Sequence, residues 1–236
     1  MEFPAPLTEG TLERRYKRFL ADVTLPGGEV VVAHCPNPGS MKTCAEPGWR
    51  AWVSPALNPN RKLAWTLEIV ESPTASILVN TARPNAVVKE GIEQARIPEL
   101  RGYPTLRTEV RYGEEKSRID LLLESPEAPP CFVEVKSATL LVAPGIAAFP
   151  DSVTTRGTRH LRELIRVVED GGRGVLFFLV GRSDAREVRP ADHIDPLYGK
   201  TLREAAAAGV EILAWRAEIR SNGLGLDCPL PVNLEP

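Results

Sequence analysis

CFVEVKSATL, residues 131–140, has the composition of a buried strand interrupted twice, by Glu134 and by Lys136. Side chains along a strand alternate between faces, so Phe132, Glu134 and Lys136 project one way while Val133 and Val135 project the other. A charged pair on so apolar a strand marks either a wet face or a chemical one. The segment before it, SRIDLLLE (117–124), is a second apolar strand with one acid set inside it, Asp120. Joined through the loop SPEAPP as an antiparallel hairpin with Glu124 near Cys131, the two strands bring Asp120 roughly opposite Glu134 and Lys136. Two carboxylates and an ammonium then converge at one place on a sheet.

These residue types have a joint use. Asp120 and Glu134 suit Mg²⁺ (or Mn²⁺), which keeps several of its waters and takes a phosphate oxygen as a further ligand. Such a metal lowers the pKa of a bound water and neutralises charge on a phosphoryl group. The backbone carbonyl of Val135, between the two charged side chains, is placed to complete the metal shell. Lys136 shares a face with Glu134 and can orient an attacking water. Asp120, Glu134 and Lys136 are therefore the candidate catalytic set, unless the face is simply wet.

Outward from this hairpin the chain alternates helix and strand. AVVKEGIEQARI has helical spacing, with Pro84-Asn85 as its cap, and LRTEVRYG (106–113) reads as a strand before Asp120. After the hairpin come a helix in TRHLRELIRVVEDGG, a central strand in GVLFFLVG, a helix in LYGKTLREAAAAGV and a strand in EILAWRAEI. The first 80 or so residues differ. They read as five short strands, LERRYKRFLADVTL, GEVVVAHC, WRAWVSP, LAWTLEIVES and ASILVNT, with a possible helical start in the first. Turn signals at Pro26-Gly27-Gly28, Asn37-Pro38-Gly39 and Asn58-Pro59-Asn60 separate them. That pattern predicts a small barrel or sandwich, followed by an α/β domain with a central mixed sheet. The boundary falls at Arg83-Pro84-Asn85, giving domains of residues 1–82 and 83–236.

An acid, thirteen residues and then E-x-K on consecutive strands, between a helix and a helix–strand pair, resembles the PD-(D/E)XK nuclease core. More narrowly, the chain resembles the sugar fermentation stimulation protein (SfsA) family. HCPNPGSM (34–41), VNTARPNAVVKEGI (79–92), SRIDLLLE, VEVKSATL and FPDSVTTRGTRHLREL (149–164) carry the resemblance and occur in order along the chain. It implies an N-terminal OB-like barrel, a C-terminal nuclease-like domain and DNA binding. Nuclease cores of this type often add an acid from the first helix, for which Glu90 is the candidate and Glu93 the more solvated alternative. The resemblance leaves two functional readings open, a metal-dependent nuclease and a non-catalytic DNA-binding regulator of sugar-utilisation genes on a retained nuclease fold.

The chain has 236 residues, 43% hydrophobic and 25% charged, in the range of an ordinary globular protein. A net charge of −2 and a pI near 6.0 require any nucleic-acid surface to be a local patch. ERRYKRF offers one, with Arg14 and Arg18 around Tyr16, unless these are a solvated face. Lys42, after the turn-rich HCPNPGSM, is a further phosphate contact on the barrel. Arg156, Arg159 and His160 open the helix after the E-x-K strand, where free backbone N–H groups favour an anion. Of the aromatics Tyr16, Phe19, Trp49, Trp52 and Trp65, most are expected in the barrel core. The longest apolar run, GVLFFLVG, is too short to span a membrane, and MEFPAPLTEG has no signal-peptide pattern. A cytoplasmic protein with free thiols is expected. His34, Cys35 and Cys44 match no common zinc module.

Overall fold

The computed structural model describes residues 1–58, 60–113 and 117–235. Pro59 of the expected 58–60 turn lies outside them.

Five strands make the N-terminal barrel: β1 (Thr8–Tyr16), β2 (Leu20–Thr24), β3 (Val30–His34), β4 (Arg50–Pro55) and β5 (Trp65–Glu71). They run in the order β3-β2-β1-β4-β5, and parallel pairing of Ala33 with Trp65 and of His34 with Thr66 closes the circle. Closure removes the unpaired edges that an open sheet this small would expose. Leu12, Val23, Val53, Leu67 and Val70 fill the interior, together with Cys35 and Cys44. The five strands are not quite the expected five. LERRYKRFLADVTL, read as one strand with a hint of helix, is a hairpin that turns at Lys17–Phe19 into β2. ASILVNT contributes only β6 (Ser76–Leu78), which pairs with the outer part of β5.

The chain continues through α1 (Pro84–Glu93), β7 (Thr105–Tyr112), β8 (Ser117–Ser125), β9 (Ala128–Ala138), β10 (Leu140–Ala143), β11 (Ile146–Phe149), α2 (Thr155–Glu169), β12 (Arg173–Val180), β13 (Glu187–Pro190), α3 (Pro196–Ala207), β14 (Glu211–Arg220) and β15 (Gly223–Pro229). The central sheet has the order β15-β14-β12-β9-β8-β7. It is mixed, because β9, β12 and β14 are parallel and the outer pairs antiparallel. On one face Val87 and Val88 of α1 pack against Val133, Val135, Phe177 and Leu179. On the other, Leu161, Leu164 and Leu202 of α2 and α3 cover Leu176, Phe178 and Val180. The expected architecture, an OB-like barrel followed by a mixed-sheet domain, is what the chain adopts.

The sequence reading lacked β10, β11 and β13, which form a separate three-stranded sheet, and β15 at the edge of the large one. Their residues carry little alternation; β10–β11 and β14–β15 are short hairpins, and only β11 and β13 pair across a long stretch of sequence. The connection between β8 and β9 is also shorter than SPEAPP suggests. Ser125 already pairs with Ala128, so Pro129 and Pro130 lie at the start of β9. Among the described residues, no helix is long and apolar enough to cross a membrane.

Candidate active site

The β8–β9 ladder pairs Leu123 with Cys131, Leu122 with Phe132 and Leu121 with Val133, and ends there. Beyond that point β9 stays paired with β12, as far as Ala138 opposite Val180, while β8 stays paired with β7. The two strands thus fork, and Asp120 is the first residue inside the fork. Its Oδ2 accepts from the Val135 N–H at 2.8 Å, which takes the place of a ladder acceptor. Its Oδ1 accepts from Asn85 Nδ2 at 2.8 Å, from the first turn of α1. Because N–H and C=O of one residue share a strand edge, the Val135 carbonyl belongs to the same fork.

Glu134 and Lys136 project toward α2, as strand alternation requires. Glu134 is 2% exposed. Its Oε1 accepts from Lys136 Nζ at 2.6 Å and also meets Nδ1 of His160. Arg156 closes the chain of contacts from outside, its Nε donating to His160 Nε2 at 3.3 Å. Oε2 of Glu134 is buried and has no hydrogen-bond partner. A buried carboxylate oxygen without a donor costs on the order of 1–3 kcal/mol, so it marks a place where something else belongs.

The two acids are tuned in opposite directions. Burial, and then the Glu134 charge, push the Asp120 carboxyl up to about 6. Burial acts to raise Glu134 too, but the His160 hydrogen bond and the Lys136 charge outweigh it and hold the group below the ordinary carboxylate range.

Asn85, Val135 and Lys136 open onto a cleft of about 420 Å³ between the two domains. Its opposite wall is barrel, formed by Arg18 and the loop at Asn37–Gly39, and Asp151 lies beneath that loop. Arg18 therefore reaches the cleft. Arg14 does not, being paired with Asp22 at 2.7 Å and stacked over Tyr16 on the outer barrel surface. Lys42 is exposed beside a different groove, with Leu141, Val142 and His193. Arg156 is exposed at the start of α2 and Arg159 half-buried, but His160 is a buried member of the acid–lysine cluster rather than an outer phosphate contact.

Glu90 is not brought to the cluster. Its carboxylate pairs with the Met1 ammonium, which also bonds the Leu224 carbonyl of β15. Five residues after Asn85 on a helix, it points about 140° away from the side that faces Asp120. Glu93 pairs with Lys89 at 2.6 Å on the exposed helix surface. The α1 residue that reaches Asp120 is Asn85, where the Pro84-Asn85 pattern predicts a cap instead. The cap position is Arg83, with Pro84 starting the helix, so the Asn85 side chain is left to turn inward. A lone polar residue just after a helix-starting proline was the only signal for it. Asp151 lies within the segment FPDSVTTRGTRHLREL, in which only Arg156, Arg159 and His160 are candidate site residues.

Fold and site together define a class: a closed OB-type barrel joined to a mixed-sheet domain whose central strands hold an acid–acid–lysine cluster around the buried Glu134. The chain belongs to the sugar fermentation stimulation protein family, whose N-terminal OB domain model matches residues 14–80 and whose RE domain model matches residues 82–223. It is 52% identical over 227 residues to the sugar fermentation stimulation protein homolog of Acidithiobacillus ferrooxidans, covering 96% of this chain and 97% of that protein. With the homolog of Geobacter metallireducens it shares 53% over 234 residues, covering 99% and 100%. Among solved structures, SfsA of Pyrococcus furiosus in complex with Ca²⁺ superposes with a TM-score of 0.88 at 30% identity, covering 99% of this chain and 98% of that one.

Proposed function

We propose that this protein is a divalent-metal-dependent nuclease that binds DNA across the cleft and hydrolyses a phosphodiester at Asp120, Glu134 and Lys136. The observation that carries the proposal is Glu134 Oε2, buried and without a partner in the strand fork that also holds Asp120. The donor set suits a hard cation such as Mg²⁺ or Mn²⁺. Two carboxylates and a backbone carbonyl are a Mg²⁺-type set, with the remaining positions left to water and phosphate. Asp120, Glu134 and the Val135 carbonyl would hold the ion. Once bound, it supplies Lewis-acid stabilisation of phosphoryl charge and a more acidic water. The Ca²⁺ in the Pyrococcus furiosus relative is in keeping with an oxygen-lined cation site in this family.

The chain's own residues do the rest. Asn85 and the Val135 N–H hold the Asp120 carboxylate in place, and each is a donor to its charged form. Lys136 Nζ, held by Glu134 at the cleft wall, is a fixed positive charge for a phosphate oxygen or an attacking water. His160 and Arg156 support Glu134 from behind.

The decisive assay is cleavage of single-stranded, duplex and branched DNA and of RNA in Mg²⁺ or Mn²⁺, beside an Asp120→Ala variant. Metal-dependent cleavage that falls at least a hundredfold in the variant is expected, from loss of a metal ligand. Persistent cleavage by a clean Asp120→Ala preparation refutes the assignment.

One observation favours a second reading, a DNA-binding regulator that keeps the nuclease fold without turnover. Both Asp120 oxygens, Glu134 Oε1 and Lys136 are already engaged within the protein, so the cluster also works as a closed structural network. This reading predicts salt-dependent DNA binding, weakened by neutralising Arg18, and no cleavage with either metal.

A further inference from the structure

Two features of the cleft lie outside the acid–lysine cluster: a roof tied down along its length, and a rim that combines cations with exposed apolar side chains. The roof is the barrel loop of residues 36–43. Thr81 Oγ1 donates to the Pro36 carbonyl at 2.6 Å, and Arg15 Nη2 donates to the carbonyls of Asn37 and Gly39 at 2.9 and 2.8 Å. The Met41 N–H reaches Asp151 Oδ2 at 3.2 Å. Arg182 Nη1 donates to the Thr43 carbonyl at 3.0 Å, and the Leu141 N–H to Thr43 Oγ1 at 3.0 Å. Gly39 lies so close to Asp151 that a Cβ there would fall 2.2 Å from Oδ2. Lifting this loop would break contacts to both domains at once, so the width of the cleft is set by the fold. A volume of about 420 Å³ takes one drug-sized group, comparable to a nucleotide. A nucleotide enters a space of that size only out of the duplex stack, which a single strand offers without the cost of unpairing.

The rim is the β1–β2 hairpin tip, where Arg18 lines the cleft and Lys17 and Phe19 are its neighbours in the chain. Lys17 and Arg18 have φ of 46° and 68°, left-handed values that cost a side-chain-bearing residue roughly 1 kcal/mol each. Glycine or asparagine would take such a turn more cheaply, yet the tip carries two cations. Beside them Phe19 is 43% exposed, and across the cleft Val153 is 70% exposed. Exposed apolar surface next to positive charge is what a stacked base with its phosphate requires.

We propose that the cleft takes a single DNA strand, threaded beneath the 36–43 loop with a base against Phe19 and the backbone phosphates between Arg18 and Lys136. The inference deepens the nuclease reading by naming its substrate class, and it rests on that reading for the chemistry at Lys136. The test is fluorescence anisotropy with labelled oligodeoxythymidine and with a blunt duplex of the same length, in Ca²⁺, followed by cleavage of both in Mg²⁺. The single strand is expected to bind at least tenfold tighter than the duplex. Phe19→Ala should lose on the order of tenfold of that affinity with an unchanged circular dichroism spectrum, and Phe19→Tyr should restore it. Equal binding of the blunt duplex, an unaffected Phe19→Ala, or no binding of either oligonucleotide overturns the proposal. Strand-selective binding without cleavage supports it while refuting nuclease activity, and equal cleavage of both substrates does the reverse.

Discussion

Burial and the Glu134 charge push the Asp120 carboxyl from its ordinary 3.8 to about 6, and that shift has a sign for stability. Between those values the folded chain holds a proton that the unfolded chain has released. Stability therefore falls as pH rises through that window, and the penalty is complete above pH 6, where it amounts to roughly 2–3 kcal/mol at most. Asp120→Asn removes the charge, and the Asn85 amide can flip to accept from the new NH2 so that both contacts of residue 120 survive. In urea denaturation with EDTA present, the variant should exceed the wild type in stability above pH 6, with the gap closing toward pH 4. A gap that does not change with pH would show that Asp120 is not held in an unfavourable charge state. Asp120, Glu134 and Lys136 were legible as residues because acids and a lysine stand out on apolar strands. Asn85 and His160 were not assigned to their contacts, since asparagine and histidine are common at helix starts and only the packing of α1 and α2 shows where they point.

At the scale of elements, α2 matters most because it carries His160 to Glu134. Thr154 caps it, its Oγ1 accepting from the Gly157 N–H at 3.0 Å. One carboxylate then ties this start to the next helix. Asp195 accepts from the Tyr198 N–H at 3.0 Å as the cap of α3, and from the Thr154 N–H at 2.8 Å through its other oxygen. A cap contributes on the order of 1 kcal/mol, and loss of a shared, buried one leaves two N–H groups unsatisfied. Asp195→Ala should therefore destabilise by about 2 kcal/mol, against about 1 kcal/mol for Thr154→Ala, in chemical denaturation. Equal losses would mean that the two helix starts are not coupled. A threonine cap, at Thr154 or Thr155, is legible in the sequence beside an amphipathic run. Asp195, in the unpatterned stretch RPADHIDP, is not, because its second partner lies 41 residues away.

At the scale of the molecule, barrel and sheet domain share their interior. Ile69 and Leu78 of the barrel sit in the same apolar cluster as Val133 and Phe177 of the central sheet. A buried carboxylate reinforces the joint. Glu68 of β5, fully buried, accepts from Ser54 Oγ at 2.7 Å, Asn80 Nδ2 at 2.7 Å and Arg83 Nε at 2.9 Å, Arg83 being the residue just before α1. Taking away one partner of a buried ion pair strands the other. Glu68→Ala should cost about 3 kcal/mol, and calorimetry should show one transition moved to lower temperature rather than two. A variant that unfolds in two separate steps would show that the halves are independent folding units.

The amino-acid sequence determined the period of each element, the change of grammar near residue 83 and the identities of the acid–acid–lysine set, because hydrophobic alternation and turn chemistry act over a few residues. It did not determine where the β8–β9 ladder ends, that Glu90 turns to the N-terminus while Asn85 turns to Asp120, or that the loop of residues 36–43 roofs the cleft. Those follow from contacts between segments tens to more than a hundred residues apart, and a local pattern carries no information about which distant partner reaches a given side chain first.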